Sequence, residues 1–127
     1  MSIRFTAKVA VKGISSSGFE FTDGVIESIL RDSVGVSVID GLGGDVVGRV
    51  DSVKLESDAV FISGTLIPDE DLPLDKAPSV WCMPGIEIEP QSRKYIGIYH
   101  YVFIKNPTAE KHSDVVFWAN ASIARNE

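Results

Sequence analysis

The segment IRFTAKVAV, residues 3–11, alternates between apolar and polar side chains along its whole length. Successive side chains of a β-strand point to opposite faces, so this alternation predicts a strand with one buried and one solvated face. The buried face would consist of Ile3, Phe5, Ala7, Val9 and Val11. The first element of the chain is therefore expected to be a strand that rests on a core.

The composition extends this expectation to the rest of the molecule. The 127 residues include 15 Val and 13 Ile but only 6 Leu and 8 Ala, and β-branched side chains favour strands. This length is typical of a single domain, residues 1–127. The net charge of −6 argues against a nucleic-acid partner, and no apolar run is long enough to span a membrane. We expect one mainly β domain that binds neither nucleic acid nor membrane.

The remaining segments predict a small barrel. A capping residue, Thr22, precedes an apolar stripe that is typical of a short helix, formed by Val25, Ile26, Ile29 and Leu30. Further strands are predicted over residues 34–39, 46–55, 59–67, 79–83, 86–89, 95–104 and 115–123, with Pro84-Gly85 as a hinge between two of them. Seven or more strands with one short helix indicate a closed or nearly closed antiparallel barrel.

Residues 68–78, PDEDLPLDKAP, differ from the rest of the chain in composition. Three prolines and four acidic residues are incompatible with a central strand, so this segment is expected to be an exposed acidic arm. A solvated loop is one interpretation. The other is a partner contact, because leucines that alternate with proline make an extended apolar strip suited to docking on another chain. The candidate interface residues are Asp69, Glu70, Asp71, Leu72 and Leu74.

Few residues of the chain are suited to catalysis. Cys82 is the only cysteine, and His100 and His112 are the only histidines. A nucleophilic thiol needs a base close by, and the alternation places His100 on the inward face of its strand, although both residues are also typical of core filling. The loop DGLGGD, residues 40–45, lacks the ligand spacing of a calcium loop and the lysine of a phosphate loop. The residues alone therefore predict no catalytic, metal or cofactor site.

Several short motifs resemble the front half of the tailed-phage prohead proteases, which are relatives of the herpesvirus assemblins. The motifs are GFEF at 18–21, GVSV at 35–38, VGRVDSV at 47–53, LESDAVFISGTL at 55–66 and MPGIEI at 83–88. The resemblance implies a barrel with a catalytic histidine just before the VGRV strand and a nucleophile near Cys82. Residues 37–44, SVIDGLGG, contain no histidine, so the resemblance implies the fold without its catalysis.

A protease-like barrel without its base is expected to act as a structural module. The resemblance then implies a phage head decoration or cement protein that binds the lattice of the major capsid protein as a homo-oligomer. It would be made in the host cytoplasm and would end on the capsid surface of the virion. The N-terminal strand could complete a neighbour's sheet. The alternatives are a cysteine peptidase with Cys82 as nucleophile and His100 as base, and another β-module such as a ligand-binding barrel.

Overall fold

The computed structural model of the protein describes residues 3–15, 18–41, 43–66, 80–105 and 115–119. These residues form nine strands and one helix. In chain order the elements are β1 (Ile3–Val11), β2 (Gly13–Ile14), β3 (Glu20–Phe21), α1 (Asp23–Asp32), β4 (Ser37–Asp40), β5 (Val46–Glu56), β6 (Ala59–Leu66), β7 (Val80–Ile88), β8 (Tyr95–Lys105) and β9 (Val115–Ala119). The prediction of a mainly β chain with one short helix is confirmed.

The main sheet has the strand order β7-β8-β4-β5-β6-β1-β9, and β2 pairs with β3 in a small second sheet. The six strands from β7 to β1 curl into a half-barrel that brings β7 against β1, and β9 extends the edge of β1. The prediction of a closed or nearly closed antiparallel barrel is wrong in two respects. β4 and β8 run parallel, and the ladders of the described strands end at β7 and β9, whereas closure needs a continuous ladder between the edges.

The alternation of β1 matches the structure only up to a bulge. Phe5, Ala7 and Val9 are buried as predicted. The pairing with β6 then shifts register between Lys8 and Ala10, so Ala10 is also buried and Val11 lies only partly in the core. A bulge inserts one extra residue and reverses the facing of the residues beyond it.

The predicted strand 34–39 begins later, at Ser37. Gly35 has φ +88°, a left-handed conformation that glycine adopts without steric cost, and it turns the chain between α1 and β4. Val34 therefore lies in a turn and is exposed.

The predicted hinge between two short strands is also absent, because β7 continues through Pro84 and Gly85, which pair with Tyr101 and His100. A proline is tolerated here because β7 is an edge strand of the sheet.

Two further register shifts in the β7–β8 pair decide which residues face the core. At each shift, one residue of β8 has no pairing partner on β7. These residues are Ile96 and Tyr99, and both of their side chains are exposed. The sequence prediction of strict alternation along residues 95–104 is therefore wrong. Tyr101, Val102 and Phe103 of β8 are buried, and Tyr95 and Ile98 pack against the core cluster that holds Tyr101 and Phe103.

The core lies inside the curl, where β1 meets β8. The rings of Phe5 and Phe103 contact each other edge to face, with centroids 5.1 Å apart. Gly64 of β6 is paired with Phe5, and a Cβ atom at Gly64 would lie 2.8 Å from Cε1 of Phe5 and overlap the carbonyl oxygen of Arg49. The absence of a side chain at Gly64 therefore lets the Phe5 ring lie against the sheet.

Helix α1 covers one end of this core. Thr22 caps its N-terminus by accepting the backbone N–H of Val25, as the sequence predicts, and Ile26 and Ile29 are buried. At the other end, the Ser33 hydroxyl donates to the Ile29 carbonyl and lies 2.7 Å from the Tyr101 hydroxyl. Because the Ser33 proton is directed at Ile29, Tyr101 donates to Ser33. This buried bond joins the end of α1 to β8.

We expect Gly64→Ala to destabilise the protein by about 1–3 kcal/mol, because the new methyl group overlaps a backbone oxygen that cannot move freely. Gly97→Ala is the matched control, since a Cβ atom there has no neighbour within 4 Å. Urea unfolding of both variants measures the difference. Equal stabilities for the two variants would contradict the close packing of Phe5 on Gly64.

We expect Ser33→Ala to cost more stability than Tyr101→Phe. The first change leaves a buried Tyr101 hydroxyl without its acceptor, at a cost of about 1–3 kcal/mol. The second change leaves Ser33 bonded to Ile29 and loses one hydrogen bond, at about 1 kcal/mol. A double-mutant cycle in urea checks this, and additive costs would contradict a direct bond between the two hydroxyls.

Candidate functional site

Cys82 and His100, the two residues of the peptidase alternative, lie on opposite faces of the β7–β8 pair. Directly opposed residues of an antiparallel pair share a face. Cys82 is opposite Phe103 in the core, whereas His100 is opposite Gly85, and Gly85 is an odd number of residues from Cys82 along β7. The expectation that His100 faces inward is therefore wrong, because the core face of this stretch carries Tyr101 and Phe103, and His100 alternates with them.

The environment of Cys82 is that of a core residue. Its side chain is 1% exposed, and burial raises the pKa of the thiol well above its usual value. The thiolate is the nucleophilic form, so this position disfavours the reactive species. The His100 ring lies over the backbone of Gly85, where a Cβ atom would be only 2.6 Å from its Nε2 atom.

The other candidates from the sequence lie in a loop or outside the described residues. Residues 40–45 connect β4 to β5 as a glycine-rich loop, with Leu42 outside the described residues. The arm residues Asp69, Glu70, Asp71, Leu72 and Leu74, together with His112, also lie outside them. Within the described ranges, no group of three or more His, Cys, Asp or Glu side chains is placed to hold a metal ion.

A concave feature of the described residues lies elsewhere, where the half-barrel is open between β7 and the end of β1. Among the described residues, β9 pairs with β1 from Ile3 to Ala7, and the part of β1 beyond Ala7 borders β6 on one side and an apolar groove on the other. This groove has a volume of about 410 Å³. Its lining residues are Val9, Ser15, Phe19, Phe21, Met83, Pro84, Gly85, Ile86, Ile88 and Arg93.

A second cavity of about 500 Å³ continues from the first past Phe19 and Arg93, which line both. Its lining is more polar and includes Lys94, Tyr95, Glu20 and Ser28. We call the two cavities together the seam groove. It combines an apolar half along β7 with a half that carries two basic residues and one acidic residue.

The basic residues are presented by the turn between β7 and β8. The Glu89 carboxylate accepts the backbone N–H groups of Ser92 and Gln91, and these bonds lower the pKa of Glu89. The backbone N–H of Arg93 donates to the Glu89 carbonyl, and Arg93 has φ +59°. Glu89 thus holds the turn through its own backbone and side chain. In the described part of the chain, neither Arg93 nor Lys94 belongs to an ion pair.

Such an arrangement suits an extended peptide with apolar and acidic residues. The edge of β7 offers backbone groups for strand addition, the apolar half accepts alternate side chains, and the basic turn attracts carboxylates. Sequence reasoning missed this groove, because its lining comes from β1, β3, α1, β7, β8 and two turns. One signal was present: Arg93 and Lys94 are the only two consecutive basic residues in a chain of net charge −6.

Comparison with protein-family models, curated proteins and solved structures found no match to this chain. No helix in the described ranges has the length and apolar character needed to cross a bilayer.

We expect Cys82 to resist alkylation by iodoacetamide in the native protein, because its thiol is buried and its pKa is raised. The same reagent should modify it fully in concentrated guanidinium chloride, which serves as the control. Mass spectrometry over several hours measures both. Rapid modification of the native protein would contradict the burial and would favour the peptidase alternative.

Proposed function

We propose that the protein is a non-enzymatic structural module, a phage head decoration or cement protein that binds the lattice of the major capsid protein. A non-enzymatic role is supported by the positions of Cys82 and His100, which lie on opposite faces of the sheet. The phage setting comes from the resemblance of the sequence motifs to prohead proteases, combined with the missing histidine in residues 37–44.

The half-barrel supports a binding role in a second way. An open sheet presents strand edges and a groove to other chains, whereas a closed barrel presents neither. β7 is an edge strand and borders the seam groove. The N-terminal strand is a weaker candidate for strand exchange than the sequence suggested, because β1 already lies between β6 and β9.

The alternative proposal is a cysteine peptidase that uses Cys82 and His100. It would require the β7–β8 pair to rearrange so that both side chains reach the same face. It would also require the thiol to leave the core, where burial raises its pKa. The decoration proposal requires neither change.

Mixing the purified protein with undecorated heads of the major capsid protein tests the proposal. We expect saturable co-sedimentation at physiological salt, because a cement protein occupies a fixed number of lattice sites. Heads already saturated with unlabelled protein are the control and should bind no additional labelled protein. An absence of binding, or binding that rises without saturation, would contradict the proposal.

A further inference from the structure

We propose that the seam groove binds the acidic arm, residues 68–78, of a second copy of this chain. The inference goes beyond capsid binding, since it concerns how copies of the protein contact one another. It rests on the match between the groove and the arm, and on a limit that the strand directions place on the arm of the same chain.

The match is one of charge and pattern. The groove has an apolar half along β7 and a half with Arg93 and Lys94, where Glu20 is the only acidic lining residue among those described. The arm sequence DEDLPLD places three consecutive acidic residues directly before Leu72 and Leu74. The acidic residues of the arm can therefore face the basic turn while the leucines that follow them face the apolar edge of β7.

The proline between the two leucines fits an added strand. Consecutive residues of a strand direct their backbone groups to opposite edges, and their side chains to opposite faces. If Leu72 and Leu74 face the groove and hydrogen-bond to the edge of β7, the nitrogen of Pro73 points away from that edge. The missing N–H of Pro73 then removes no bond to β7, which is the condition under which proline is tolerated in a sheet.

The strand directions put the ends of the arm far from the basic turn of the same chain. The ladders from β1 through β6, β5, β4 and β8 to β7 make β1 and β7 run in the same direction. Leu66 is paired with Ile3, so the arm leaves at the end where β1 begins, and it returns at Val80, where β7 begins. The seam groove lies toward the other end, from Met83 to Ile88 and on to Arg93.

The length of β7 and the reach of the arm indicate whether the arm in the groove belongs to the same chain or to a second copy. From Val80 to Ile88 there are eight residue steps, or about 26 Å at 3.3 Å per residue, and the basic turn lies beyond Ile88. Asp71 is five residues after Leu66, and Asp75 is five residues before Val80. Five residues span at most about 18 Å even when fully extended. Measured from Val80, the backbone of Asp75 in the same chain therefore ends about 8 Å short of Ile88, whereas the arm of a second copy has no such limit.

The test is the oligomeric state of the full chain, measured by sedimentation velocity over a range of protein concentrations. We expect the wild-type chain to self-associate, more weakly at high salt because Arg93 and Lys94 are exposed. Reversing both groove charges, Arg93→Glu with Lys94→Glu, should raise the dissociation constant about tenfold or more. The control variant, Arg49→Glu with Lys54→Glu, makes the same charge change on β5 and should associate like wild type.

Restoration of the charge pairing makes the test specific. The arm variant Asp69→Lys, Glu70→Lys, Asp71→Lys should also associate weakly, whereas its combination with the groove variant should recover most of the wild-type affinity. Circular dichroism and thermal unfolding of each variant confirm that it is folded. A monomeric wild-type chain at every concentration would overturn the proposal, as would a combined variant that fails to recover. Either failure can occur with head binding intact, so it is distinguishable from failure of the decoration proposal.

Discussion

Phe5 of β1 and Phe103 of β8 meet edge to face inside the curled sheet, and their contact joins strands that are far apart in the strand order. The contact depends on Gly64, whose missing side chain leaves room for the Phe5 ring. With this pair in place, β7 is brought beside the end of β1, and the groove between them is formed. Offset and edge-to-face aromatic pairs contribute about 0.5–1.5 kcal/mol beyond the burial of their area.

Local patterns predicted the elements better than the surfaces that those elements build. The alternation of residues 3–11 and the capped stripe from Thr22 to Leu30 are properties of adjacent residues, and both elements occur as expected. The β5–β6 hairpin was also predictable, because residues 56–58 interrupt two apolar runs, and Ser57 and Asp58 adopt the positive φ values of a tight turn.

The bulges at Ile96 and Tyr99 were not predictable from one strand, since they arise from the pairing of β8 with β7. They place Ile98 against the same core as Tyr101 and Phe103, although strict alternation puts Ile98 on the opposite face. The seam groove was missed for a similar reason, because seven separate parts of the chain line it. The parallel pairing of β4 with β8 likewise depends on contacts distant in sequence, and it sets the direction of β7 relative to β1. That direction places Val80 at the end of β7 opposite the basic turn.

The thiol of Cys82 lies in the core, whereas Arg93 and Lys94 of the basic turn are exposed. The central proposal is that the arm of one copy lies in the seam groove of another. Disulfide cross-linking of two differently sized full-length variants, Leu72→Cys and Ile88→Cys, tests this most directly. Under oxidation the mixture should give a covalent heterodimer that joins residue 72 to residue 88, while the buried Cys82 stays reduced. A chain carrying both substitutions that forms the bond within itself, or a mixture that forms no heterodimer, would contradict the claim.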